Sequence, residues 1–356
     1  MSGVCAVEDL DTQVLRAADA WQTAGLPVVL VTVTRTWGSS PRPPGSLMAL
    51  NGRGESVGSV SGGCIEDDLV RRLRDEGLDA VCADGRPALL RYGISADQAH
   101  RFGLPCGGTV ELVLEPVAAH SRLPALLQAT EQRRSTARRL DLRTGAVQLD
   151  AGRRDGVPVL DGDVLVTHFG PRHRLVLIGA GDLARFLAQM ALGLQFEVIV
   201  CDPRQERHAG AALDGVTLSH EMPDDLIQRL QPDARTAVVA LTHDPKLDDL
   251  ALIDALQSEA FYVGAIGSRQ HTALRRERLR EHFGLDEAAL DRLHGPAGLY
   301  IGSKTPAEIA LSIMAEVVAV KNGLPRAARQ PVAEGKALFD GRGDGAVRDL
   351  PPICVV

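Results

Sequence analysis

Apolar and polar positions follow two rhythms along this chain, and the change comes near residue 172. Before it, Val14 to Trp21 has helical spacing and stops at Gly25 and Pro27. The run Val28-Val29-Leu30-Val31-Thr32-Val33-Thr34 reads as a buried strand. Short strands follow around Leu47–Leu50 and Val57–Val60, then a helix from Ile65 through Leu78 and strands over Ala88–Tyr92 and Thr109–Leu114. The stretch 117–171 is weaker: a helix over Pro124–Arg134 and strand-like pieces divided by Gly145, Gly152, Gly156 and Gly162, which read as a connecting region or as a β meander that belongs to the first domain. After it, strands at Leu175–Ile178, Glu197–Val200, Thr236–Leu241 and Tyr262–Ile266 alternate with helical segments, the signature of a parallel sheet. The last helix opens on Thr305-Pro306-Ala307-Glu308, a capping box with Pro at its first position, and puts Ile309, Ile313, Met314, Val317 and Val320 on one face.

The pattern predicts an α/β protein: a mixed α/β domain over 1–116, the connecting region 117–171, a Rossmann-like nucleotide-binding domain with a parallel sheet over 172–325, and a loosely held tail over 326–356. At 356 residues the chain suits two domains. Its charge of −7 argues against nucleic acid or an anionic membrane surface as partner. Aromatic residues at 3% are too few for a platform that stacks bases. No apolar run nears the ~18 residues of a membrane helix, and the acidic N-terminus does not resemble a signal peptide. Six dispersed cysteines with no CxxC point to a reducing cytoplasm, and they lack the tighter ligand clusters of a zinc site.

In the second half, Gly179-Ala180-Gly181-Asp182-Leu183-Ala184 follows a strand and opens a helix. Gly179 suits a tight turn, Gly181 lets a pyrophosphate approach, and Ala184 lets helix and strand pack closely, while the helix end including Asp182 offers amides to phosphate. Asp202, at the end of the next strand, stands where a carboxylate takes a ribose hydroxyl, and Arg204 beside it suits an extra phosphate. A Rossmann fold kept only for packing fits the same residues. Thr242 and His243 follow a strand and would line the same crevice, His243 as proton donor, ligand or plain loop residue. Gly267-Ser268-Arg269 combines free backbone with hydroxyl and guanidinium donors. Gly302-Ser303-Lys304-Thr305 offers a second anion site or a plain helix cap.

In the first half, Gly62-Gly63-Cys64 places a thiol where a glycine turn becomes a helix, whose dipole favours thiolate and makes the sulfur nucleophilic or metal-binding. Cys106 lies beside Gly107 and Gly108 just before a strand. Either cysteine also suits a role as a small buried apolar residue. The loop Thr36–Gly45 carries Ser39, Ser40 and Arg42, suited to a phosphate or the edge of a pterin, or stiffened by proline for turn geometry alone. Glu66, Asp67 and Asp68 include a candidate general base or are acids at a helix start.

Taken together, T-R-T-W-G-S-S-P-R-P-P-G (34–45), G-S-V-S-G-G-C-I-E (58–66), G-L-P-C-G-G-T (103–109), L-I-G-A-G-D-L-A (177–184), Y-V-G-A-I-G-S-R (262–269) and I-G-S-K-T-P-A-E-I-A (301–310) resemble the XdhC/CoxI family, accessory proteins of molybdenum hydroxylases such as xanthine dehydrogenase. The resemblance implies an N-terminal XdhC domain, a Rossmann-type domain, and a chaperone that binds molybdenum cofactor (molybdopterin or its cytosine dinucleotide), protects its sulfurated form and inserts it into the large subunit of an apo-hydroxylase. A cysteine desulfurase is the implied sulfur source, and a homodimer is left open. Cys64 and Cys106 fall on the family's glycine-flanked cysteines, with Cys64 the candidate molybdenum or persulfide site. The competing reading is an NAD(P)-dependent oxidoreductase working in the Rossmann crevice.

Overall fold

The computed structural model describes residues 9–37, 42–93, 109–152, 157–204, 206 and 213–324. Ser39, Ser40, Cys106, Gly107, Gly108 and the tail 326–356 lie outside the described residues. The chain forms two compact units that divide between Pro171 and Arg172.

The first unit is built on the sheet β3-β2-β1-β5-β4, antiparallel throughout, from β1 (Val28–Trp37), β2 (Leu47–Asn51), β3 (Ser56–Gly58), β4 (Ala88–Tyr92) and β5 (Thr109–Pro116). β1 is central and apolar on both sides, which explains its unbroken hydrophobic run. Val29, Val31 and Val33 pack on Ile65 and Leu69 of α2 (Cys64–Arg71). Val28 and Leu30 pack instead on Val14, Leu15 and Ala18 of α1 (Leu10–Thr23) and on Leu123 and Leu126 of α3 (Leu123–Glu131).

Two of the expected features come out differently. α2 does not run to Leu78: it stops at Arg71 and finishes as one wide turn, Arg72–Glu76, closed by Gly77 at φ 86°. The second is the strand order within 117–171, expected as a connecting region with a meander of the first domain. Its strands β6 (Thr136–Asp141), β7 (Val147–Ala151), β8 (Val159–Asp161) and β9 (Val164–Phe169) pair in the order β7-β6-β9-β8, two hairpins joined through β6 and β9. This sheet belongs to the first unit: Leu140, Val147 and Leu165 share a cluster with Val113 of β5. Arg138 of β6 meets Glu115 of β5 at 2.5 Å, both side chains 3% exposed.

The second unit is a six-stranded parallel sheet in the order β12-β11-β10-β13-β14-β15, from β10 (Arg174–Ile178), β11 (Glu197–Cys201), β12 (Val216–Ser219), β13 (Thr236–Ala240), β14 (Tyr262–Ala265) and β15 (Leu293–His294). Counted within the unit this is 3-2-1-4-5-6, the doubly wound order that binds ligands outside the carboxyl ends of its strands, where the order reverses between β10 and β13. α4 (Asp182–Gly193) and α9 (Pro306–Lys321) cover one face through Ala184, Leu187, Ala191, Ile313 and Val317. α5 (Pro223–Leu230), α6 (Pro245–Gln257), α7 (Arg269–Phe283) and α8 (Glu287–Asp291) cover the other through Leu226, Leu252, Leu279 and Leu290.

Candidate cofactor-binding sites

Each unit carries one cluster of the expected residues. In the first, the loop after β3 turns through Gly62 (φ 112°) and Gly63 (φ 150°), conformations that favour glycine, and delivers Cys64 to the first position of α2. The Cys64 thiol is exposed. Glu66 holds the turn. Its Oε1 accepts from Ser59 Oγ (2.8 Å) and the amides of Val60 (2.9 Å), Ser61 (2.8 Å) and Gly62 (3.0 Å). Its Oε2 accepts from the Gly63 amide (2.9 Å) and the Ser61 hydroxyl. Burial pushes this carboxyl up, but the Gly62 amide and the Ser61 hydroxyl and amide pull harder, so it sits well below the usual carboxylate range. The chain's own donors fill the Glu66 oxygens, so in this structure Glu66 shapes the Cys64 turn.

Arg42, arriving from the proline-rich loop, donates from Nε to Ser59 Oγ at 3.2 Å and so joins the same cluster. Asp68, one turn after Cys64, accepts from Tyr92 Oη (3.0 Å) and Arg71 Nη2 (3.2 Å). The structure therefore brings together Arg42, Gly62, Gly63, Cys64 and Glu66. Two other thiols are unlike Cys64: Cys82 and Cys201 are buried, and burial pushes each up to about 12.

In the second unit, Gly179 makes the turn after β10 at φ 110°, and a Cβ there would stand 2.8 Å from Thr242 Cγ2. Only glycine lets the β10 and β13 loops approach this closely. Gly181 is exposed at the start of α4 with open space beside it, Asp182 is exposed next to it, and Ala184 is buried against the sheet. Asp202 is 1% exposed at the end of β11 and accepts from the Ala180 amide (3.1 Å) and three Arg204 donors. Burial raises its pKa, but the Arg204 side chain and amide and the Ala180 amide outweigh that and lower it. In this structure these four bonds fill the carboxylate that a ribose-binding role would use.

Thr242 and His243 sit at the carboxyl end of β13, His243 exposed at φ 63°. A residue missed in the sequence fixes them. Asp248 of α6, 0% exposed, accepts from the amides of Thr242 and His243 (3.1 Å each) and from Thr242 Oγ1 (2.7 Å). Arg275 of α7 donates to Asp248 (3.0 Å), to Asp249 (2.8 Å) and to the carbonyl of Ile266 (3.4 Å), tying this loop to the one after β14. The signal was available: Asp248 falls on the helical stripe of Leu247, Ala251, Leu252 and Ala255, where a charge needs a partner. In that second loop Gly267 (φ 151°) leads to Ser268, whose Oγ caps α7 on the His271 amide (3.1 Å), and to exposed Arg269.

Of the two readings of 302–305, anion site or helix cap, the structure forms the cap. Glu308 Oε2 accepts from the amides of Lys304 (2.8 Å) and Thr305 (2.9 Å), occupying the donors an anion would need. Among the described residues no group of three or more His, Cys, Asp or Glu side chains is placed to hold a metal ion, and no helix is long and apolar enough to cross a membrane.

Fold and sites define a two-unit α/β protein: a Rossmann-type unit preceded by an antiparallel unit that presents an exposed, glycine-flanked cysteine. The chain belongs to the XdhC and CoxI family: residues 21–93 match the model of that name, and residues 175–317 match the XdhC Rossmann domain. It is 28% identical over 309 residues, 86% of this chain and 88% of the relative, to the molybdenum cofactor insertion chaperone PaoD of Escherichia coli (strain K12). To a probable xanthine dehydrogenase subunit of Bacillus subtilis (strain 168) it is 24% identical over 323 residues, covering 82% of this chain and 92% of the relative. A crystal structure titled a xanthine dehydrogenase from Bacillus halodurans matches with a TM-score of 0.68 and 23% identity over 90% of this chain and 99% of that one, a likeness of fold.

Proposed function

We propose that this chain binds molybdenum cofactor, supports its sulfuration and inserts it into a molybdenum hydroxylase of the xanthine dehydrogenase type. The observation that carries the reading is the Cys64 turn. An exposed thiol stands at a helix start on a turn held by six bonds to Glu66, and Arg42 of the β1–β2 loop donates to Ser59 of the same cluster. A soft thiolate suits molybdenum or a persulfide, and a rigid support keeps it in place for transfer. Cys106 is the second thiol of this proposal, a cysteine desulfurase the sulfur donor, and a reducing compartment such as the cytoplasm the setting in which free thiols persist. Taken by itself, the crevice beside Gly179 and Gly181 suits the phosphate of a pterin ligand. The name of the Escherichia coli relative supports insertion. The bonds that fill Asp202 speak against NAD as the ligand of the competing oxidoreductase.

The test is retention of cofactor. Wild type, Cys64→Ser and Cys106→Ser proteins are incubated with molybdenum cofactor, repurified, and assayed for molybdenum and oxidised fluorescent pterin. Near-stoichiometric retention by wild type, lost in one or both variants, supports the reading. No retention by wild type contradicts it.

A further inference from the structure

The end of the second strand in a doubly wound sheet is where an acid commonly takes the two hydroxyls of a ribose. Here that acid is closed to a diol. Asp202 Oδ1 accepts from the amide (3.1 Å) and Nε (2.8 Å) of Arg204, while Oδ2 accepts from the Ala180 amide (3.1 Å) and Arg204 Nη2 (2.9 Å). A carboxylate has about four lone-pair positions, so a ribose would have to displace a bidentate guanidinium to reach it. The exposures reverse the usual arrangement: the carboxylate is 1% exposed and the Arg204 side chain 34%. Solvent at this corner meets the guanidinium rather than the carboxylate, with Asp244 and Glu206 as further acids acting on it. Among the described residues, no hydrogen bond of Arg204 goes to any side chain but Asp202.

Asp202 also brings that cation to the glycine loop. Two bonds in series through Oδ2 put Arg204 Nη2 no further than about 6 Å from the Ala180 amide. Asp182, exposed with its nearest cation Arg185 at 3.9 Å, adds negative charge at the start of α4. An anion entering there needs a cation within reach, and Arg204 supplies one.

Resting on the reading that this crevice holds the cofactor, we propose that Arg204 is a specificity-determining residue that makes the site take a ligand bearing a phosphomonoester dianion in preference to one presenting a ribose diol. A phosphomonoester carries about −1.5 to −2 charge and three open oxygens for the Nη1 and outer N–H groups that the pair with Asp202 leaves over. A pyrophosphate diester carries less charge at each phosphorus, and a diol carries none. Molybdopterin ends in such a monoester, whereas its cytosine dinucleotide does not. A dinucleotide with a 2′-phosphate bears the same group from a different source.

Equilibrium binding to the full chain separates these cases with two matched pairs: molybdopterin against its cytosine dinucleotide, and NADP⁺ against NAD⁺. The proposal expects wild type to bind the monoester member of at least one pair about tenfold or more tighter than its counterpart. Arg204→Gln should erase that preference and, by freeing Asp202, strengthen binding of the diol-bearing member. Arg204→Lys, which keeps charge without the fork, should fall between, and a thermal melt confirms that each variant folds. If both pterins bind equally and Arg204→Gln changes neither, this proposal fails while the cofactor reading survives. If neither pterin binds but NADP⁺ is preferred through Arg204, the cofactor reading fails and the phosphomonoester assignment stands. Binding of no probe overturns both.

Discussion

Replacing Glu66 by Gln removes one of the two oxygens on which the Cys64 turn is built. With the remaining oxygen in the Oε1 position, the donors from Ser59, Val60, Ser61 and Gly62 keep an acceptor. The new NH2 group then faces the Gly63 amide, which loses its acceptor, at a cost of about 1–3 kcal/mol. The four retained bonds change from charge-assisted to neutral, which roughly halves their strength. Allowing for partial solvent access, the sum is about 3 kcal/mol, or a fall of roughly 6–12 °C in the unfolding midpoint of a unit this size. Scanning calorimetry reads it directly. The pH dependence gives an independent sign. A carboxyl held below its ordinary 4.5 contributes stability that is complete above that value and is lost as pH falls. The gap between wild type and Glu66→Gln should therefore narrow as pH drops from about 6 to about 3. A midpoint change under about 2 °C, or a gap that widens in acid, would refute the assignment of Glu66 as the support of the turn.

Two further perturbations follow from the second unit. Gly179→Ala combines a left-handed φ with a methyl 2.8 Å from Thr242 Cγ2, and should destabilise this unit by about 2–4 kcal/mol. Gly181→Ala, at φ −82° with open space beside it, should leave the denaturation midpoint unchanged and weaken only ligand binding, a contrast that chemical denaturation and binding measured together would expose. Glu316 of α9 accepts from Tyr262 Oη (2.8 Å) and the Gly298 amide (2.8 Å) and meets His294 Nδ1 at 3.0 Å. Burial pushes its carboxyl up, but these partners, His294 foremost, hold it at about 2. Its stabilising effect is complete above about 4.5 and lost as pH falls toward 2, so Glu316→Gln should flatten the acid side of this unit's stability curve; an unchanged slope would remove Glu316 from the account.

The strands most plainly read from the sequence are those buried on both faces. Leu175–Ile178 and Thr236–Leu241 are continuous apolar runs, and the structure places β10 and β13 at the centre of the parallel sheet. β12 and β15 escaped because four residues with two polar side chains, and two residues ending in His294, leave no period to detect. The pairing of β6 with β9 was equally hidden. It follows from how Leu140 and Leu165 pack on Val113, a contact between residues far apart in the chain.

The sites show the same division. Glycines that need positive φ, such as Gly63 and Gly179, stand out as motifs because backbone geometry demands them. Which acids remain open to a ligand does not show in a motif. Glu66, Asp202 and Glu308 all lie beside amide-rich turns, and only the folded chain reveals that each closes its own turn. Asp248 and Arg275, twenty-seven residues apart, meet only because α6 and α7 cover the same face of the sheet.

Delivery of the cofactor is the central claim, and reconstitution of a cofactor-free hydroxylase of the xanthine dehydrogenase type measures it most directly. The protein is loaded with molybdenum cofactor, freed of excess, and mixed with the apo-enzyme, and the activity recovered is compared with that from the same amount of free cofactor and from the Cys64→Ser protein. The account predicts faster and fuller activation from the loaded wild type than from free cofactor, with the advantage lost in Cys64→Ser. Activation no better than free cofactor, or activation by Cys64→Ser equal to that by wild type, would contradict it.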